Sequence, residues 1–288
     1  MSNPSPANNS LLEIGFFRIT LGIYLLIYNL PFWPKLDLMY GSQSMLPPGF
    51  LPDYLVRAPA FFPWPAAWFP LLFGLMLLLI ALFTCGLLNT WTLVPLYLLQ
   101  VYFYHANPLI IHEAQPLANL FLFLFFFLPP DSPPVLIGRP RYVLTAENAA
   151  ELRVLLRIII GFFGVYYFIV GIKKLPDPLW REGLALQYIL DWNGVARDNW
   201  LTAIITGHPW LAKVMSYGTL MFEMSFIFLI FTPLRILYII AGLGLHGGIF
   251  LTMDVGSLSL ALVVWYALLF DQRVRKQILT LFSIGKKD

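Results

Sequence analysis

The chain has 288 residues, of which 59% are hydrophobic, 17% aromatic and only 11% charged, and its mean hydropathy is +0.75. Soluble domains carry about 25% charged residues, so polar groups cannot cover this surface and lipid has to cover much of it. A soluble globular fold is excluded on that count, and a net charge of +3 is too small to point to nucleic acid. The one cysteine, Cys85, lies in an apolar run; no internal disulfide can form, and the thiol reads as packing.

The first residues, MSNPSPANNS, are polar and hold no Lys or Arg, so they do not read as a cleavable signal peptide. A spanning helix needs about 20 mainly apolar residues. Runs of that kind fall at 11–31, 66–88, 91–106, 115–130, 152–172, 213–232, 234–253 and 257–271. The expected fold class is therefore an all-α polytopic membrane protein with about eight transmembrane helices, or seven if one of the short third and fourth runs is not a full span. The runs are continuously apolar rather than alternating, which excludes a β-barrel. No internal repeat or low-complexity tract is present. A single domain over 1–288, with no large soluble part, is expected.

Three connections differ in character. Residues 32–65 hold LPPGFLPDYLVRAPAFFPWP, with too many prolines for a helix and too many aromatics for disorder; the aromatics place it at a membrane interface. Residues 129–150 end in TAENAAELR, a helix start with Thr145 as N-cap. Residues 173–212 read as the most polar loop. Lys and Arg favour the cytoplasmic side. Arg273, Arg275, Lys276, Lys286 and Lys287 place the C-terminus inside, and counting back over eight helices places the N-terminus inside as well. Lys173 and Lys174 then lie at an outer end, where basic residues are disfavoured.

Ionisable groups at membrane depth are expensive and are usually functional or paired. Glu223 and His246 lie near the middles of two runs joined at Thr232-Pro233. At about 1.5 Å per residue they fall within roughly 6 Å of one depth, which predicts a Glu223–His246 hydrogen bond, either as a structural staple or as a proton relay and cofactor contact. Gly242, Gly244, Gly247 and Gly248 surround His246, allowing close approach of a neighbouring helix or room for a flat ligand. Arg18 is expected to snorkel to the inner interface or to pair with Glu13 or Glu223. The stretch YHANPLIIHEAQP brings His105, Asn107, His112 and Glu113 together as a polar wall of an outward-facing pocket. No HExxH or CxxC occurs, and no metal site is expected. Lys173 and Lys174 end an apolar run. Either they cap and snorkel, or their mutual repulsion favours a neutral amine able to act as a base.

The segment YFIVGIKKLPDPLWREGLAL, followed by LMFEMSFIFLIFTPLR and LGLHGGIFLTMDVGSLSLAL, resembles the horizontally transferred transmembrane (HTTM) domain, the membrane part of vitamin K-dependent gamma-carboxylases. FFRITLGIYLL and HANPLIIHEAQPLANLFLFLFFFLPP are similar to the opening helix and middle pair of that family. The resemblance implies binding of vitamin K or another quinol and a lysine that deprotonates it, as in a lyase or quinol-oxidising enzyme. Lys174 matches the catalytic lysine and Lys173 adjoins it. His105 or His112 stands for the assisting histidine, and Trp180, Glu223 and His246 stand at the cofactor. The family's large soluble portion has no counterpart here, so the chain reads as a stand-alone bacterial-type member of an inner membrane.

Three functions compete. The first is an enzyme with a quinone-like lipid on its outer side and Lys174 as base. The second is a non-enzymatic membrane factor that assists maturation or export of a secreted partner protein, although Cys85 alone cannot support dithiol exchange. The third is a transporter or channel, disfavoured because the sequence shows no internal repeat and no pair of matched broken helices.

Overall fold

The structure is a computed structural model that describes residues 6–40, 65–107, 114–137, 145–255, 257–271 and 274. Each of the eight apolar runs is helical over all or most of its length. Among the described residues there is no strand, only an isolated antiparallel bridge between Ala196 and Met253. Three helical segments are long and apolar enough to cross a membrane: Ser10–Tyr40, Asn148–Lys174 and Arg235–Thr252. Eight spans are not supported. Phe69–Cys85, Ala114–Leu124 and Leu258–Leu269 are apolar but have at most 17 residues, short of the roughly 20 that a full crossing takes. Two further helices are diluted: Thr90–Ala106 by Pro95, Gln100 and His105, and Pro209–Leu229 by Lys213, Ser216, Glu223 and Ser225.

Within what composition suggested as one domain, the chain forms two compact units, Met1–Leu144 and Thr145–Asp288. In the first, α1 (Pro6–Asn29) continues through a 3₁₀ segment, Leu30–Lys35, into α2 (Leu36–Tyr40), followed by α3 (Phe69–Cys85), α4 (Thr90–Ala106) and α5 (Ala114–Leu124). Most of the long loop expected over 32–65 lies outside the described residues. The core is aromatic: Phe17 stacks on Phe125 and meets Phe121 edge-on, and Phe83 meets Phe125 edge-on. Gly22 lets α1 lie directly on α3, because a methyl group there would collide with the Thr84 side chain. Gly86, at φ 79°, closes α3 in a left-handed turn, and the N–H groups of Gly86 and Leu87 return to Phe83 and Leu82 at 2.9 and 3.0 Å. Asn89 and Thr92 then open α4 with a reciprocal capping box.

Arg18 departs from the interface role expected of it. Its side chain is fully buried and donates to the carbonyls of Pro130 at 3.1 Å, of Ser132 at 2.5 Å and of Pro134. Carbonyl dipoles of the proline-rich turn surround a charge that has no path to water at this depth in α1.

The second unit holds α6 (Ala146–Lys174), α7 (Pro178–Arg181), α8 (Ala185–Asp191), α9 (Trp200–Thr206), α10 (Pro209–Leu229), α11 (Arg235–Thr252) and α12 (Leu258–Val264), which runs into a 3₁₀ segment, Trp265–Leu269. Thr145 caps α6 as its sequence signature predicts, its hydroxyl accepting from Asn148 N–H at 3.2 Å. The stretch 173–212 is not an irregular polar loop. Asp177 and Asn199 cap short helices, and these close over a small core of Leu190, Ile205, Ala212 and Met253. Backbone bonds from Arg197 N–H to Thr252 at 2.8 Å and from Asp254 N–H to Val195 at 2.6 Å fasten this layer to the end of α11.

The contact that matters most for the site is α6 on α10. A Cβ on Gly164 would stand 3.1 Å from the Cα of Ile227, and one on Gly171 would stand 2.9 Å from Met224 Cγ and 3.2 Å from Glu223 Cβ. Glycine at both positions brings the two helices to a separation that a larger side chain would prevent.

Candidate functional site

That close packing separates the two lysines. Consecutive residues on a helix are about 100° apart, so only one of the pair can face α10. Lys173 is exposed. Lys174, one turn beyond Gly171, reaches Glu223 with Nζ 2.5 Å from Oε1, and the two side chains are 23% and 8% exposed. Trp180 covers the ammonium, with Nζ 4.4 Å from the centroid of the indole, within cation–π range.

Local sequence explains how Trp180 gets there. Asp177 caps α7 by accepting from Leu179 N–H at 2.8 Å, and Pro178 starts the helix. Gly183, at φ +74°, reverses the chain against Lys213 and Tyr217, and the Tyr217 hydroxyl donates to the Arg181 carbonyl at 3.0 Å. The residues between Lys174 and Gly183 therefore fold back onto α10 and carry the indole with them.

Two turns earlier on the same face of α6, Tyr167 has its hydroxyl 2.5 Å from Nε2 of His246 and 3.3 Å from the hydroxyl of Tyr266. Its ring packs on Phe222 and Phe226 of α10 at centroid distances of 5.7 and 4.8 Å. Gly242 makes room for the Tyr266 hydroxyl against α11, whereas Gly244, Gly247 and Gly248 face open space.

The Glu223–His246 hydrogen bond expected from their common depth does not form. Helix α6 supplies a partner to each, Lys174 to Glu223 and Tyr167 to His246. This leaves one atom of each buried without a hydrogen-bond partner: Oε2 of Glu223 and Nδ1 of His246. The repulsion argument for a neutral lysine also gives way, because the two ammonium groups point apart and Lys174 meets a carboxylate instead. The pair carries no net charge whichever group holds the shared proton.

Of the residues singled out by sequence, Lys174, Glu223, Trp180 and His246 gather in the second unit, while Lys173 turns away from them. His105 belongs to the first unit, at the end of α4, with its ring against Tyr104; His112 and Glu113 lie outside the described residues. Asn107 donates to the Met39 carbonyl at 2.7 Å. Among the described residues no three His, Cys, Asp or Glu side chains gather as a metal ion requires. Sequence reading missed Tyr167 and Tyr266. Tyr167 stands seven residues before Lys174 and so shares its helix face, a signal that was available. Tyr266 gave no such signal, since it sits in a run that is apolar throughout.

The arrangement offers an amine and a carboxylate in short contact, a buried carboxylate oxygen without a partner, and an imidazole–phenol–phenol chain in the same unit. Comparison with known proteins returns no match: no family model, no curated protein and no solved structure matches this chain.

Proposed function

We propose that this is an integral membrane protein of the bacterial inner-membrane type that binds a quinone-like lipid beside the Lys174–Glu223 pair and uses that pair as its acid–base group. In this reading both termini face the cytoplasm, and the Lys174 end of α6 opens to the outer side as part of a polar pocket. The observation that carries the proposal is the short Lys174–Glu223 contact under the Trp180 indole. An ionisable pair at the end of a membrane-length helix is costly to keep, and one carboxylate oxygen of it is left without a partner. The likeness of this segment to the HTTM domain supports the same reading.

A bound hydroquinone supplies a weakly acidic hydroxyl, and loss of that proton prepares the ring to pass two electrons to dissolved oxygen, which takes up two protons and leaves as hydrogen peroxide. Glu223 Oε2 is the open acceptor for that proton, and Lys174 Nζ offsets the negative charge left behind. When the shared proton resides on Glu223, the Lys174 amine is the acceptor and the roles exchange. Trp180 shields the pair from water and favours the ammonium form of its partner through the face of its ring.

The test is oxidation of added hydroquinone by dissolved oxygen, catalysed by the purified chain in lipid nanodiscs and followed as oxygen consumption. Lys174→Ala abolishes turnover while expression and membrane insertion stay normal; an unchanged rate sinks the assignment.

A second reading, a non-enzymatic factor that presents a secreted or membrane partner, draws on the short-helix layer, where Trp192, Trp200 and Trp210 are 61%, 72% and 65% exposed. Such rings serve as anchors in protein interfaces. That reading expects a co-purifying partner and tolerance of Lys173→Gln combined with Lys174→Gln.

A further inference from the structure

The short helices α8 and α9 sit at a height that two longer helices fix independently. Helices α10 and α11 are joined over 230–234 and pack side by side, with Ser225 Oγ 2.6 Å from the Tyr238 hydroxyl and Phe222 stacked on Tyr238. Ala212 lies about 18 residues before that turn and Met253 about 18 after it, which at about 1.5 Å per residue is about 27 Å along either axis. Both belong to the small core under the short helices, with Leu190 and Ile205. The hydrocarbon of a bilayer is about 30 Å thick, and α11 is one of the helices long and apolar enough to cross it. At the turn, Arg235 donates to the Ile230 carbonyl at 2.6 Å and pairs with Asp271. A charged pair thus marks one end of α11 and the short-helix layer the other, about one hydrocarbon thickness apart.

The exposed side chains of this unit sort by that height. On α6 and α11 the large exposed side chains are Val, Ile, Leu and Phe, among them Ile158, Phe162, Leu237 and Ile240, with Tyr166 as the one exception. The tryptophans divide differently. Trp265 is buried and Trp180 covers Lys174, while Trp192, Trp200 and Trp210 are exposed at the layer, as is Tyr188 of α8. Trp192 closes α8, Trp200 opens α9 and Trp210 lies in the first turn of α10. Rings with an apolar body and a polar tip favour the headgroup boundary, and purely apolar side chains favour the hydrocarbon.

We propose that the short-helix layer is a membrane-interface anchor, with Tyr188, Trp192, Trp200 and Trp210 seated among phospholipid headgroups at the edge of the hydrocarbon. This rests on the reading of the chain as an integral membrane protein. A protein partner would accept these rings at any height, whereas a bilayer requires them about one hydrocarbon thickness from the charged turn, where they are. Rings rather than charges hold the seat. Residues 175–208 contain Arg181 and Arg197 against Asp177, Glu182, Asp191 and Asp198, and no lysine, so the layer has no basic excess to draw it to anionic lipid. Its backbone suits the place as well. Asp177 and Asn199 cap helices, and the Asn199 side chain also donates to the Leu251 carbonyl at 2.8 Å, so polar backbone groups are met within the protein. Anchors at this level set the tilt and depth of α11 in the bilayer.

The experiment uses the full chain, labelled with 5-fluorotryptophan, in phosphatidylcholine nanodiscs. The chain has nine tryptophans, and single Trp→Phe variants at 192, 200 and 210 identify their ¹⁹F signals. Lipid carrying a nitroxide just below the headgroup broadens these three signals more than lipid carrying it at the chain end, and a water-soluble gadolinium chelate broadens them least. Replacing part of the phosphatidylcholine with phosphatidylglycerol leaves that order unchanged. Strong broadening by the chelate with none from either lipid overturns the inference and leaves the rings open to water, as a docking surface for a protein partner would be. Broadening by lipid that appears only in phosphatidylglycerol discs also overturns it, because charge and not the rings would then hold the layer. Alkaline carbonate washing of membranes containing the unmodified chain separates the two levels of the argument. A chain that stays in the membrane while its three rings see only water loses the anchor alone, and a chain that washes off loses the integral-membrane reading first.

Discussion

Removing Lys174 should harm the protein more than removing Glu223, although the two share a single contact. Glu223 is 8% exposed at its side chain and Lys174 23%. In Lys174→Met the carboxylate is left in a site with no other charge partner among the described residues. Breaking a buried pair from one side costs about 3–5 kcal/mol, and uptake of a proton by the carboxyl holds the effect near the lower end, about 3 kcal/mol. In Glu223→Leu the longer, more exposed lysine turns its ammonium toward water, and the loss is about 1.5 kcal/mol. The double variant buries no charge and fills the site with apolar atoms, so it should lie within about 1.5 kcal/mol of wild type. The coupling is then at least about 3 kcal/mol. The assay is reversible unfolding in mixed micelles by denaturant titration, followed by tryptophan fluorescence, on the four members of the cycle. Single effects that add to within about 0.5 kcal/mol would refute the reasoning, because pairs without contact behave that way.

Three further outcomes are expected. Lys173→Gln leaves stability within about 0.5 kcal/mol and hydroquinone turnover at the wild-type level, since the side chain is exposed; the same unfolding and turnover assays check it. Gly22→Ala forces α1 off Thr84 and costs about 1–3 kcal/mol; Thr84→Ala in the same chain recovers part of that loss, as read by the unfolding midpoint. Arg18→Met leaves the carbonyls of Pro130, Ser132 and Pro134 without their donor and costs at least about 3 kcal/mol. Hydrogen exchange or limited proteolysis should show the loosening concentrated around residues 130–137.

Much of the helical content was legible because a long apolar run has few alternatives once water is removed from its surface. The start of α6 at Thr145 followed from a capping signature, which is a local interaction over three residues. Span count was less legible. Hydropathy marks apolar stretches, but whether 11 or 17 residues form a full crossing depends on the tilt and packing of neighbours that hydropathy does not contain. The layer over 173–212 was misread as a polar loop for a related reason. Its apolar residues, Leu190, Ile205 and Ala212, are spaced across three short helices and form a core only with Met253, far along the chain.

The sequence by itself determined an all-helical class with apolar helices of membrane-crossing length, and marked Lys174, Glu223 and His246 as the ionisable residues in or at the end of apolar runs that need explaining. Those conclusions rest on composition and on the cost of charge in an apolar medium, and both are properties of single residues. Only the tertiary structure decided who partners whom. Gly164 and Gly171 bring α6 against α10, one lysine faces Glu223 while its neighbour turns away, and Tyr167, absent from the sequence-level site, takes the partner that Glu223 was expected to have. Partner choice is set by which helix faces meet and at what distance, and that is fixed by contacts between residues far apart in the chain.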